Sequence, residues 1–109
     1  MKAIEELITK IIEFRDARDW EQFHNPKDLA IAINIEAGEL LELFLWKDAS
    51  EADLDKVKEE LADVLTFSFL LAHRYNLDIK KIILDKIQLN NKKYPVEKAK
   101  GTAKKYNEL

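Results

Sequence analysis

Leu29-Ala30-Ile31-Ala32-Ile33-Asn34-Ile35-Glu36-Ala37-Gly38-Glu39-Leu40-Leu41-Glu42-Leu43-Phe44-Leu45-Trp46 decides the fold of this chain. Thirteen of these 18 residues are Ala, Ile, Leu, Phe or Trp; the exceptions are Asn34, Glu36, Gly38, Glu39 and Glu42. A helix this apolar on nearly every side has to be surrounded by other elements. Its length approaches that of a membrane span, but three glutamates at bilayer depth are too costly for that reading. Glu36 and Glu39 lie three residues apart, about 60° from each other around a helix axis, and so share a face. Glu60 and Asp63 repeat the spacing where a later helix-like segment turns apolar. Two packed helices can bring the four carboxylates together. Burying ionised carboxylates without compensation costs several kcal/mol each, against a whole-protein margin of about 5–15 kcal/mol. A hard divalent cation held by oxygen ligands is the natural compensation.

The surrounding sequence predicts an all-α fold of four helices. With two Gly and two Pro in 109 residues, the composition favours helix over sheet. The first helix is expected from about Lys2 to Asp19, with Ile4, Leu7, Ile8, Ile11, Ile12 and Phe14 as its stripe. Asn25 as N-cap, Pro26 and then Asp28 open the second, which is expected to reach about Lys47. Ser50-Glu51-Ala52-Asp53 reads as a capping box for the third, ending near Arg74 or Tyr75. Asp78 caps the fourth, which stops before Pro95 because the residue ahead of proline disfavours helix. This gives one domain over residues 1–95 and a basic tail, 96–109, expected to be extended or mobile. Three other short helices are too few to cover the second, so a homodimer or homotetramer is expected.

Charge narrows the function. Residues 1–85 carry 11 Lys/Arg against 19 Asp/Glu, and residues 86–109 carry seven Lys against two Glu. An acidic body with a basic end does not suit duplex nucleic acid, which calls for a broad basic face; it suits a small anion held between metal and lysines. No cysteine is present, so thiolate metal sites are excluded. Residues 1–10 are mixed and charged, unlike a signal peptide, and a cytoplasmic protein is expected. A di-iron bundle would need two E-x-x-H pairs; Glu21-x-x-His24 is the single match. Trp20, Phe23 and Trp46 can pack in a core or interface, or can stack on a nucleobase. Lys86, Asn90, Lys93 and Tyr94 can form a solvated helix end or contact phosphate and sugar.

Arg18-Asp19-Trp20-Glu21-Gln22-Phe23-His24-Asn25-Pro26, then Glu36-Ala37-Gly38-Glu39, Glu59-Glu60-Leu61-Ala62-Asp63, Asn90-Asn91-Lys92-Lys93-Tyr94-Pro95 and Lys104-Lys105-Tyr106 together resemble the MazG-like all-α nucleotide pyrophosphohydrolases, and within them the dCTP pyrophosphatase branch. The resemblance implies a Mg²⁺-dependent enzyme that hydrolyses a nucleoside triphosphate, dCTP or a modified dCTP, to the monophosphate and pyrophosphate. It implies Glu36, Glu39, Glu60 and Asp63 as catalytic metal ligands and Trp20 and Trp46 as the walls of a base pocket. Lys86, Asn90, Lys93 and Tyr94 would contact phosphate, sugar or base. Two positions depart from that branch. Ile11 stands where a histidine is expected and Phe67 where a tyrosine is expected, and both changes remove hydrogen-bonding groups. The rival class is a non-catalytic helical interaction protein with a degenerate acidic groove.

Overall fold

The computed structural model describes residues 2–109, and every regular element among them is helical. Contacts divide the chain into two compact units, the first ending at Leu77 and the second running Asp78–Leu109. The first unit holds α1 (Lys2–Asp16), α2 (Pro26–Glu42) and α3 (Leu54–Arg74), with short 3₁₀ turns at Glu21–Phe23 and Ala49–Glu51. The second holds α4 (Ile79–Lys93) and the four-residue α5 (Val96–Ala99), followed by a 3₁₀ turn at Tyr106–Glu108. The tail is therefore partly helical rather than extended, and Tyr106 packs edge-on against Tyr94 with ring centroids 6.2 Å apart.

The helix starts follow their local chemistry. Asn25 caps α2 by accepting the Asp28 N–H at 2.9 Å, and its own amide reaches the Asp28 carboxylate at 2.7 Å. Asp78 caps α4 through the Lys81 N–H at 3.1 Å. The start of α3 differs from the capping-box reading. Asp53, not Ser50, is the cap, accepting from the N–H groups of Asp55 and Lys56. Ser50 is spent in the Ala49–Glu51 turn instead. α2 also stops earlier than expected. From Leu43 to Leu45 the backbone N–H groups bond three residues back, a tightened end. Trp46 then takes φ 60°, which cannot continue a right-handed helix. α1 likewise ends at Asp16, and Asp19 turns the chain at φ 52°.

α2 packs mainly on α3, and α1 also rests on α3. The inward stripe of α2 is Leu29, Ile33, Glu36 and Leu40; that of α3 includes Val57, Glu60, Val64, Ser68 and Leu71. Both stripes carry a glutamate among apolar neighbours, which is how the packing creates an acidic centre. On α1 the inward stripe is Ile4, Ile8, Ile11 and Arg15, while Leu7 and Phe14 are about half exposed. Much apolar surface stays uncovered, including Ile31, Ile35 and Leu41 on α2 and Leu54, Leu61 and Leu65 on α3. No helix among the described residues is long and apolar enough to cross a membrane.

Candidate metal centre and adjoining cavity

Glu36 from α2 and Glu60 and Asp63 from α3 each offer a carboxylate oxygen within 4.8 Å of the other two. Glu36 and Glu60 are half-buried; Asp63 and Glu39 are exposed. Glu39 is one helical turn from Glu36 and lies within hydrogen-bonding reach of both Glu36 and Glu60 when one of them is protonated. Sharing a hydrogen bond with Glu39, burial, and the bond to Glu60 push the Glu36 carboxyl from its ordinary 4.5 up to about 7, and the charges of Glu39 and Asp63 add to the rise. Burial also raises Glu60, opposed by its hydrogen bond with Glu36 and reinforced by Glu39 and Asp63. These are the signs of like charges forced together.

One oxygen on each of two carboxylates supplies the test of fit for a cation. With the carboxylates ionised, Glu36 Oε2 and Glu60 Oε2 are buried and have no hydrogen-bond donor. A buried acceptor without a partner costs about 1–3 kcal/mol, more when charged. An all-oxygen set of carboxylates suits a hard divalent cation and no soft one. The residues present fit such an ion.

Beside the acidic centre is a cavity of about 260 Å³ that Asp63 shares. Its walls are mostly apolar, with Ile11 and Phe14 from α1, Trp20 from the loop, and Phe67 and Leu70 from α3. Trp20 stands edge-on to Phe14 at 5.8 Å, and His24 edge-on to Phe67 at 6.3 Å. His24 Nδ1 is buried without a partner, and burial, reinforced by the Arg15 charge, holds the imidazole below its ordinary range. The cavity thus has aromatic walls, a few polar groups and a carboxylate at one side, the usual make-up of a small-molecule pocket.

The remaining candidate residues are dispersed. Trp46 is 99% exposed and stands outside this cavity. In the second unit, Lys86, Asn90 and Lys93 share one stripe of α4 by their spacing. Tyr94 caps that helix with its N–H on the Asn90 carbonyl at 2.7 Å, and Lys93 Nζ lies 5.0 Å from the Tyr106 ring centroid. Arg15 and Thr66 are lining residues that the sequence reading did not select. The signal for Arg15 was its register, i+4 from Ile11 and i+11 from Ile4 on the apolar stripe of α1. Thr66, in the mostly apolar second half of α3, carried no comparable mark.

With this arrangement of helices and carboxylates, the chain belongs to the MazG-like family, whose model matches residues 31–109. The chain is 40% identical to dCTP pyrophosphatase 1 of Rattus norvegicus and of Homo sapiens, with 89% of it aligned to each. It spans 62% of the length of these curated relatives. Among solved structures, it is similar to a pyrophosphatase from Archaeoglobus fulgidus DSM 4304, with 38% identity and a TM-score of 0.80. That match covers 85% of this chain and 93% of the other.

Proposed function

We propose that this chain is a divalent-cation-dependent nucleoside triphosphate pyrophosphohydrolase acting on dCTP or a modified dCTP. The observation that carries this reading is the convergence of Glu36, Glu60 and Asp63 oxygens within 4.8 Å, on the rim of an aromatic cavity that Asp63 shares. The named relatives supply the reaction class: the mammalian ones are dCTP pyrophosphatases and the archaeal structure is a pyrophosphatase.

Glu36, Glu60 and Asp63 would hold Mg²⁺, with Glu39 as a further ligand. Bound there, the ion would neutralise phosphate charge and lower the pKa of a bound water. The chain's own residues do the rest. Trp20 and the cavity aromatics stack on the base, and stacking by alanine substitution is worth about 1–3 kcal/mol per base. Trp46, fully exposed, offers a second stacking face. In the second unit, Lys86, Asn90, Lys93 and Tyr94 offer cations and hydrogen-bonding groups suited to phosphate and sugar. A carboxylate not fully used as a ligand can accept the water proton as the water oxygen bonds to phosphorus. The α–β anhydride P–O bond breaks, leaving the monophosphate and pyrophosphate.

Ile11 and Phe67 both line the cavity and neither offers a base-pairing group. Sites that reject analogues strongly do so with buried polar partners. Selectivity among bases is therefore weaker here than in a cavity carrying histidine and tyrosine at these positions. The test is pyrophosphate release across canonical and 5-substituted nucleotides, with Mg²⁺ and with excess chelator. Release from dCTP with Mg²⁺, abolished by chelator and by Asp63→Asn, is the expected result. Full activity in chelator, or hydrolysis of purine triphosphates alone, overturns the assignment.

A further inference from the structure

Arg15 is the single buried charged residue among those described, its side chain 7% exposed, and it lines the base cavity together with Trp20 and His24. Its Nε donates to Asp16 Oδ1 at 2.9 Å and its Nη2 to Glu21 Oε2 at 2.9 Å. Its carbonyl accepts the Trp20 N–H at 3.2 Å. Arg15 thus holds the 3₁₀ turn from both chain directions, through its backbone to Trp20 and through its side chain to Glu21. The turn has no side-chain N-cap of its own, and Asp19 before it sits at φ 52°. Gln22 ties the turn to Asp19 only, within the same loop. The planar guanidinium fork gives the link to α1 a fixed direction that a flexible ammonium would not.

Ion pairs of this kind add little net stability, because desolvating the cation offsets the attraction. Both carboxylate partners are solvated, at 55% and 69% exposure, so removing the arginine leaves no buried charge behind. Stability alone therefore does not explain a guanidinium placed at the wall of a mostly apolar cavity. We infer that Arg15 is a positioning residue for base recognition. By clamping Glu21 it fixes Trp20 and His24, the loop-borne wall of the cavity, against the wall contributed by α3. This rests on the proposed nucleotide hydrolysis for its kinetic readout, and a second readout is independent of it.

The test compares Arg15→Met, Arg15→Lys and Glu21→Gln with the parent. Misplacing a stacking wall weakens binding before chemistry, so Arg15→Met should raise KM about tenfold with kcat within about twofold. Arg15→Lys should recover only part of this. Glu21→Gln cuts the same link at an exposed atom and should reproduce the direction of the effect, which keeps the test open if Arg15→Met folds poorly. Mn²⁺ affinity, measured directly, should stay unchanged in all three. Acrylamide quenching of Trp20, read in a Trp46→Phe background, should increase in Arg15→Met and in Glu21→Gln. An unchanged KM with unchanged quenching overturns the inference. So does a parallel loss of kcat and Mn²⁺ affinity, which would place Arg15 in support of the carboxylates. If the parent hydrolyses no nucleotide, the hydrolase reading fails while the quenching result still decides the role of Arg15.

Discussion

A glutamate that ionises only near pH 7 makes the acidic centre a proton store as well as a candidate cation site. Glu36 has an ordinary pKa of 4.5 and is raised to about 7 in the folded chain. The fold therefore favours its protonated form. Its stabilising contribution is complete below the unfolded value and is lost as pH climbs from 4.5 through about 7. In chelator, the stability of the parent relative to Glu36→Gln should fall across that window and level off above it, as read by urea denaturation at a series of pH values. A flat difference would mean that Glu36 ionises at its ordinary pH. Cations compete with the same proton, so Mn²⁺ affinity should rise up to about pH 7 and binding should release protons below it. Glu39→Gln should leave the helical circular dichroism unchanged and abolish turnover, because an exposed side chain adjoining the cluster carries ligand chemistry rather than packing. Retained turnover would remove Glu39 from the site.

At the scale of elements, the caps show what sequence can and cannot specify. Asn25-Pro26 and Asp78 were legible because an N-cap and its acceptor bond are set within four residues. The start of α3 read as a capping box opened by Ser50, but the structure caps the helix with Asp53 and takes Ser50 into the Ala49–Glu51 3₁₀ turn. Asp53→Ala should accordingly cost about 1 kcal/mol and Ser50→Ala close to nothing, measured by chemical denaturation; equal costs would restore Ser50 as the cap. The end of α2 was harder to read. Leu43 to Trp46 continues the apolar run without a break, yet Trp46 turns left-handed, which nothing in the residue pattern marks. The acidic pairs were legible for the opposite reason, since carboxylates at helical spacing in apolar surroundings have few stable explanations. The cavity was only half legible. Trp20 stood out by type and Ile11 and Phe67 through the resemblance, and Arg15 was marked only by its register on α1, whereas Thr66 enters the cavity through the packing of α1 and the Trp20 loop beside α3, which no local pattern encodes.

At the scale of the molecule, the chain leaves much apolar surface uncovered. Ile31 and Ile35 lie one turn apart on α2, at 46% and 54% exposure, and Leu54, Leu61 and Leu65 recur along one stripe of α3. Gly38 falls on the same face of α2 as Ile31 and Ile35, and a methyl group there would meet nothing within 4 Å. The bare backbone at Gly38 leaves room for another helix to approach. Fully burying an Ile or Leu side chain contributes about 1.5–3 kcal/mol, so a handful of such residues on each of two copies suffices for a stable pair. Sedimentation at micromolar concentration should give at least a dimer, and the thermal midpoint should rise with protein concentration, as mass action requires when folding and association are linked. Ile35→Glu should shift the species toward monomer and abolish that concentration dependence. Its side chain lies outside the acidic cluster, so direct Mn²⁺ binding by any folded monomer reports whether one chain alone can hold the cation. A parent that sediments as a stable, fully folded monomer, with a midpoint indifferent to concentration, would show that the apolar stripes are tolerated in water. The assembly would then have no basis in this fold.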